Sequence, residues 1–202
     1  LIRRDKLRQL EELGIEAYPA PMFEVNCNSK QILSEYDDVA KNFQDVSIAG
    51  RVMSVNSKGK VTFVWIQDEK GKIQLFLSID NVSPGEDKTL YEKVVKHILD
   101  IGDIVGVKGE VFITKTGETS IRVKHFQLLA KALRPLPVVK EKDGETFDAF
   151  SDPEQRFRQR YVDLIVNPQV RETFIKRTLM IKTIRDYLTN HGAMEVDTPV
   201  LQ

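Results

Sequence analysis

The segment KVTFVWIQDEKGKIQLFL, residues 60–77, alternates three aromatic rings and an amide with aliphatic side chains. If Asp68–Gly71 forms a four-residue turn, Gln67 lies opposite Lys72, Phe63 opposite Phe76 and Trp65 opposite Gln74. Strand alternation then gathers Phe63, Trp65, Gln74 and Phe76 on one face. Val64, Ile66, Ile73, Leu75 and Leu77 fall on the other, an obvious core. Two readings fit the aromatic face. Its rings can stack on unpaired bases, with Gln74 bonding a base edge and Arg51, Lys58 and Lys60 neutralising phosphates. They can equally pack against the N-terminal helices or a neighbouring domain.

Other chemistry finds little support. His97, His125 and His191 are scattered and share no metal-ligand spacing with Cys27, so no metal site is expected. There is no GxxxxGK[ST] loop, GxGxxG turn or GxSxG elbow. SKGK (57–60) reads as a basic turn, and Asp37 and Asp38 as solvated carboxylates in a polar loop. Cys27, the single cysteine, is expected to be a buried thiol; it can form no internal disulfide, which fits a reducing compartment.

The elements that must position these residues follow from periodicity. Residues 2–13 read as a helix, with Leu7, Leu10 and Leu13 along one side, Gly14 as its stop and YPAP (18–21) beyond it. A short helix is expected from Ser29 to Tyr36. Strands follow at 46–55, 61–67 and 72–79, then a helix over 84–99 from the spacing of Leu90, Val94 and Ile98, then strands at 103–114 and 119–130. Five strands with a helix between the third and fourth is the order of a Greek-key OB barrel. The stretch 132–150, with two prolines and a polar tail, reads as a linker. Beyond it Ser151 and Glu154 form a capping-box pattern, and Asn167–Pro168 opens a helix that Gly192 ends. The expected division is therefore an N-terminal helical extension (1–45), the barrel (46–131), a linker (132–150) and a helical region (151–202).

A hydrophobic content of 41% supports a core, and 30% charged residues suit a soluble chain. Net charge is zero, so bulk attraction to nucleic acid or membrane is not implied; yet residues 46–67 carry three basic residues and no acid. No signal peptide and no apolar run near the ~20 residues of a membrane span is present, so the expected location is cytoplasmic, without membrane partners. The chain lacks an initiator Met and ends at VDTPVLQ, and reads as a piece of a longer protein.

In order along the chain stand RRDKLRQLEELGIEAYP, SIAGRVMS, GKVTFVWIQDEKGKIQLFL, KTGETSI, KALRPLP, RFRQRYVDLIVNP and FIKRTLMIKTIRDYLTNHGAMEVDTPVLQ. This series resembles the N-terminal part of class II lysyl-tRNA synthetases up to motif 1, and covers nearly all of the chain. The resemblance implies a mainly β, α+β architecture: a five-stranded OB anticodon-binding domain with N-terminal helices, then the helical start of a class II catalytic domain. It implies that Phe63 stacks on the middle uridine of a uridine-rich anticodon, with Gln74 and Phe76 in the same pocket and Glu118 on a flanking base. Arg51 would lie at the mouth of that surface. Asn56 stands where relatives commonly carry an arginine, Trp65 where a smaller or polar residue is usual, and Asp197 where glutamate is usual. The motif 1 helix would build a homodimer interface through Phe174, Arg177, Ile181 and Arg185, with Pro199 touching the partner's active-site region. The implied partner is lysine tRNA, not DNA. The implied reaction of the parent enzyme joins lysine to that tRNA using ATP and Mg²⁺. Motifs 2 and 3 would lie beyond Gln202, so no catalytic or ATP-binding residue, and no bound cofactor, is expected in this chain, which alone would be inactive. The alternative is a stand-alone OB nucleic-acid-binding module without catalytic activity.

Overall fold

The computed structural model describes residues 1–137, 140–142, 145–147 and 150–199. They form two compact units, Leu1–Pro135 and Leu136–Gln202.

In the first unit, β1 (Val46–Lys58), β2 (Val61–Gln67), β3 (Lys72–Ser78), β4 (Ile104–Ile113) and β5 (Thr119–Ala130) hydrogen-bond in a closed ring of order β1-β2-β3-β5-β4. Each neighbouring pair is antiparallel except β3 and β5, which run parallel and close the ring. The β2–β3 register matches the turn-based expectation: Gln67 pairs with Lys72, Trp65 with Gln74 and Phe63 with Phe76. Val64, Ile66, Ile73, Leu75 and Leu77 point inward and are buried with Val52, Val107 and Ile121.

Asp68 sets that turn. Its carboxylate accepts the backbone N–H groups of Lys70 and Gly71, and the backbone N–H and hydroxyl of Ser29. A short polar side chain that bonds its own backbone two residues on is what a tight turn selects. Burial would raise the Asp68 pKa, but these hydrogen bonds, Ser29's first, outweigh it and hold the carboxyl below its ordinary value. One residue thereby fixes the hairpin and the start of α2 (Ser29–Glu35). That helix is capped by Asn28, whose side chain accepts from the Gln31 N–H.

Two strand irregularities matter to the outer surface. The β1–β2 register shifts between Val52 and Ser54, and this bulge lets Val52 face the core while Ser54 and Asn56 face out. The β4–β5 register shifts between Lys108 and Gly109. A Cβ on Gly109 would run into the Arg122 carbonyl, so only glycine allows the strands to meet there.

The expected helix over 84–99 is shorter and wound differently. After a four-residue turn, α3 (Ile79–Val82), α4 spans Leu90–Ile98 with i→i+5 bonding, seen where the Leu99 N–H donates to the Val94 carbonyl. Tyr91, Val94, Val95 and Ile98 form its buried face, whereas Leu90, expected on that face, is only partly buried. The Tyr91 hydroxyl meets the buried Thr62 hydroxyl at 3.1 Å, which in turn meets Ser57 at 3.0 Å. Residues 84–88 stay outside the helix, with Lys88 donating to the Ser83 carbonyl and Asp87 accepting from the Thr89 N–H.

The N-terminal helix α1 (Ile2–Glu12) buries Leu10, and Gly14 follows at φ +69° as the stop. Arg3 donates to the Ile101, Ala132 and Arg134 carbonyls, and Lys6 to Asp100. The following segment lies along β1 and β4. Phe23 rests directly on Gly106, and the Ser47 hydroxyl donates to the Glu24 carbonyl. Cys27 there is half-buried rather than buried; partial burial raises its thiol pKa.

In the second unit, within the stretch expected as a linker, β6 (Lys140–Lys142) pairs antiparallel with β7 (Glu145–Phe147). Residues 138, 139, 143, 144, 148 and 149 of that stretch lie outside the described residues. Helices α5 (Pro153–Arg158), α6 (Arg160–Val166) and α7 (Pro168–Asn190) follow. The cap of α5 is Asp152, which accepts the Gln155 N–H, and not Ser151; Pro153 fills the first helical position. Asp163 is fully buried and accepts from Arg156, Arg160 and Asn167. Burial would raise its pKa, but hydrogen bonds from Asn167 and Arg156 and the two guanidinium charges lower it overall. Asn167, expected to open α7, thus spends its amide on Asp163 and the Phe150 carbonyl rather than on capping. Gly192 at φ +87° ends α7. Among the described residues no helix is long and apolar enough to cross a membrane.

Candidate nucleic-acid interface

The outward faces of β1, β2, β3 and β4 enclose a cleft of about 570 Å³. Phe63, Trp65, Gln74 and Phe76 form its floor, as the hairpin register requires. Asn56, opposite Phe63 on β1, and Ser54, opposite Trp65, form one wall; Phe112 and the turn residues Thr114–Thr116 form the other. The N-terminal segment lies on β1 and β4 through Phe23 and Asn26 instead, so the N-terminal helices do not cover the rings.

The rings form a cluster rather than three separate surfaces. Phe76 meets Phe63 on one side and Phe112 on the other, each at 5.5 Å between centroids and edge-to-face. The Arg122 guanidinium sits 4.5 Å over the Phe112 ring, and is held there by Glu110 at 2.7 Å. Glu110 also accepts from Lys124 at 2.6 Å. That bond first, and then the one from Arg122, hold the Glu110 carboxyl below its ordinary pKa despite some burial.

Gln74 is oriented. The Ser120 hydroxyl donates to its Oε1 at 2.7 Å, leaving the amide N–H₂ to donate into the cleft. A fixed N–H donor beside aromatic rings suits a base that presents a carbonyl on its edge. Lys58 and Lys115 line the cleft, and no carboxylate among the described residues does. The site is therefore apolar on its floor, positive at its rim and equipped with one directed donor, the composition of a single-strand binding surface.

Of the residues expected to read bases, the structure gathers Asn56, Phe63, Gln74 and Phe76 in this cleft. Glu118 does not line it. It closes the β4–β5 turn: its carbonyl accepts from the Thr114 N–H and the Ser120 hydroxyl, and its N–H donates to the Thr114 hydroxyl. Arg51 is not in the cleft. It pairs with Gln67 and Ile104 further along β1, and its guanidinium donates to the Gly102 carbonyl at 2.9 Å. Sequence reasoning missed Phe112, Ser120 and Lys115. Phe112 could have been found from β4, where Val105, Val107 and Val111 alternate inward and Phe112 must point out. Trp65 is half-buried and lines the same cleft.

In the second unit, Phe174, Arg177, Arg185 and Pro199 are exposed and Ile181 is partly so. Phe174 lies under the Arg160 guanidinium, and Arg185 pairs with Glu195 at 2.9 Å. No group of three His, Cys, Asp or Glu side chains among the described residues is placed to hold a metal.

A closed five-strand ring with an open aromatic face, followed by a helical unit, defines a nucleic-acid-binding OB fold joined to a further domain. The OB-fold nucleic acid binding domain of tRNA anticodon type matches residues 46–129, and the class II tRNA synthetases for D, K and N match residues 152–202. Over its whole length the chain is 52% identical to the lysine–tRNA ligase of Porphyromonas gingivalis, of which it covers 35%. It is 48% identical to that of Azobacteroides pseudotrichonymphae, covering 40%, and 48% identical to that of Christiangramia forsetii, covering 35%. Over its whole length the chain is similar to the corresponding part of lysine–tRNA ligases, with an OB-fold anticodon-binding domain followed by a class II synthetase segment. It spans well under half the length of these relatives.

Proposed function

We propose that this chain recognises the anticodon loop of lysine tRNA, as part of an enzyme that joins lysine to that tRNA in the cytoplasm. The observation that carries the reading is the uncovered cleft in which Phe63, Phe76 and the oriented Gln74 amide converge. Phe63 and Phe76 offer ring surface to an unpaired base, and the Gln74 N–H₂ donates to a carbonyl such as those on uracil's edge. Asn56, with donor and acceptor together, contacts a neighbouring group, and Glu118 a flanking base from the turn. Lys58 and Lys115 meet phosphates. Arg51, held by Gly102, contributes by bracing β1 rather than by touching RNA. ATP and Mg²⁺ belong to the reaction of the whole enzyme and are assigned to no residue of this chain.

The test is a titration of wild type and Phe63→Ala with stem-loop RNA carrying a uridine-rich anticodon, against the same loop with its middle uridine replaced by adenosine. Wild type is expected to prefer the uridine loop, and Phe63→Ala to lose ~1–3 kcal/mol on it. Equal binding of both loops, or an unchanged Phe63→Ala, would sink the base-reading role.

The exposed apolar residues of α7, among them Leu179, Ile184 and Leu188, favour a second copy as the partner of this helix. Phe174, Arg177, Ile181, Arg185 and Pro199 belong to that proposed interface. Sedimentation equilibrium of wild type and Leu179→Glu is expected to show concentration-dependent association in the first and its loss in the second; a monomer at all concentrations would refute it.

A further inference from the structure

Trp65 is the one ring of the cleft whose surface is committed to no other. Phe63, Phe76 and Phe112 meet one another edge-to-face, whereas Trp65 has no ring or cation partner among the described residues. Its indole N–H donates to no protein atom there either. Its cross-strand neighbours are Ser54 on β1 and Gln74 on β3, one small and one flat.

Spacing decides what such a surface can hold. Phe63 and Trp65 are two residues apart on one strand, so their side chains emerge about 6.7 Å from each other. Adjacent stacked bases in a duplex strand lie ~3.4 Å apart. Two neighbouring bases that each meet one of these rings must therefore be unstacked from each other, as only an unpaired strand permits. A cleft of about 570 Å³ exceeds what a single base fills. Lys58 and Lys115 place positive charge at its rim, where the phosphate joining two such nucleotides would pass.

We infer that Trp65 is a second stacking platform, holding the anticodon-loop nucleotide next to the one held by Phe63 and Phe76, so that the cleft grips two adjacent bases with Gln74 between them. This rests on the base-reading role proposed above. Trp65 thereby sets a distinct kind of specificity. It holds the second nucleotide by its ring face, so any base is accepted there while an absent base is not.

Trp65 is the chain's single tryptophan, so its emission reports this position alone. The experiment titrates the whole chain with a uridine-rich anticodon stem-loop, following both tryptophan emission and the anisotropy of end-labelled RNA. The same loop is then used with an abasic site at the middle position or at either flanking position. The intact loop is expected to quench emission saturably, with the midpoint seen by anisotropy. An abasic site at one flanking position should abolish the quench, and one at the middle position should chiefly weaken binding. Trp65→Ala should weaken binding about five-fold or more, and Trp65→Phe much less. If the loop binds and Phe63→Ala weakens it, but Trp65→Ala binds like wild type or no flanking abasic site alters the quench, the inference is overturned and base reading stands. If folded wild type binds no loop, both fall. Should Trp65→Ala fail to fold, the abasic series on wild type decides alone.

Discussion

Replacing Lys131 with methionine is expected to lower the unfolding free energy by about 3–5 kcal/mol, the cost of leaving a buried charge without its partner. The Lys131 side chain is fully buried and donates to both oxygens of the equally buried Asp103, at 3.0 and 2.9 Å, and to Asp100 at 2.6 Å. Methionine fills the same space but donates nothing, so the Asp103 carboxylate keeps only the backbone N–H groups of Asp100 and Ala132. Exchanging Asp103 for leucine as well is expected to restore only part of the loss, because those two N–H groups are then orphaned. Chemical denaturation of wild type and the two variants checks this; a Lys131→Met chain as stable as wild type would refute it.

The loss should be felt at the N-terminus first. Asp100 also holds Lys6 of α1, the Lys131 N–H donates to the Ala17 carbonyl, and the Lys131 carbonyl accepts from Tyr18. Burial acts to raise the Asp100 pKa, but the bonds from Lys131 and then Lys6 prevail and hold it below its ordinary 3.8. A carboxylate with a depressed folded pKa stabilises the fold above its unfolded pKa, and that contribution is lost as pH falls through the folded value. Wild type should therefore lose stability on acidification below about pH 4, and Lys131→Met should lose less over the same window. None of these residues lines the aromatic cleft, so RNA affinity measured well below the melting temperature should not change.

The hairpin was readable because its information is local. Asp68 and Gly71 define the turn length, and once the turn is set, alternation assigns every side chain of residues 61–78 to a face. Closing the ring depends instead on contacts far apart in sequence. Phe112 reaches Phe76 only because β4 pairs with β5 and β5 runs parallel to β3, and Ser120 reaches Gln74 by that same pairing. No window of neighbouring residues carries that information. The bulge between Val52 and Ser54 had a similar effect. It kept Asn56 on the cleft face, but the position of Arg51 depended on where a loop carbonyl from Gly102 would stand. The helix over 84–99 was shortened by local bonds that its apolar spacing does not reveal, since the Ser83 carbonyl accepts from Lys88 and its hydroxyl takes the Tyr91 N–H. Whether the aromatic face was covered or open was likewise undecided by alternation; the docking of Phe23 on Gly106 left it open.

Removing Phe63 and Phe76 together is expected to weaken binding of the uridine-rich stem-loop by about 100-fold, or ~3 kcal/mol, at ~1–3 kcal/mol for each ring–base contact. The single changes should sum to something different from the pair. Phe76 touches both Phe63 and Phe112 edge-to-face, so Phe76→Ala also removes the ring that Phe63 leans on. A double-mutant cycle should therefore return a coupling of ~0.5–1.5 kcal/mol, the worth of an edge-to-face pair. Phe76→Leu, which keeps apolar bulk but no aromatic face, should preserve stability better than affinity. The inward neighbours Leu75 and Leu77 carry the core on that strand, so a folded variant is expected in each case. Salt dependence separates stacking from charge. Loss of rings removes no phosphate contact, so the slope of log K against log [salt] should equal that of wild type, whereas Lys58→Ala or Lys115→Ala should flatten it. Additive single changes would mean that the two rings act independently, and a slope that falls in the ring variants would mean that the rings support the cleft without touching bases.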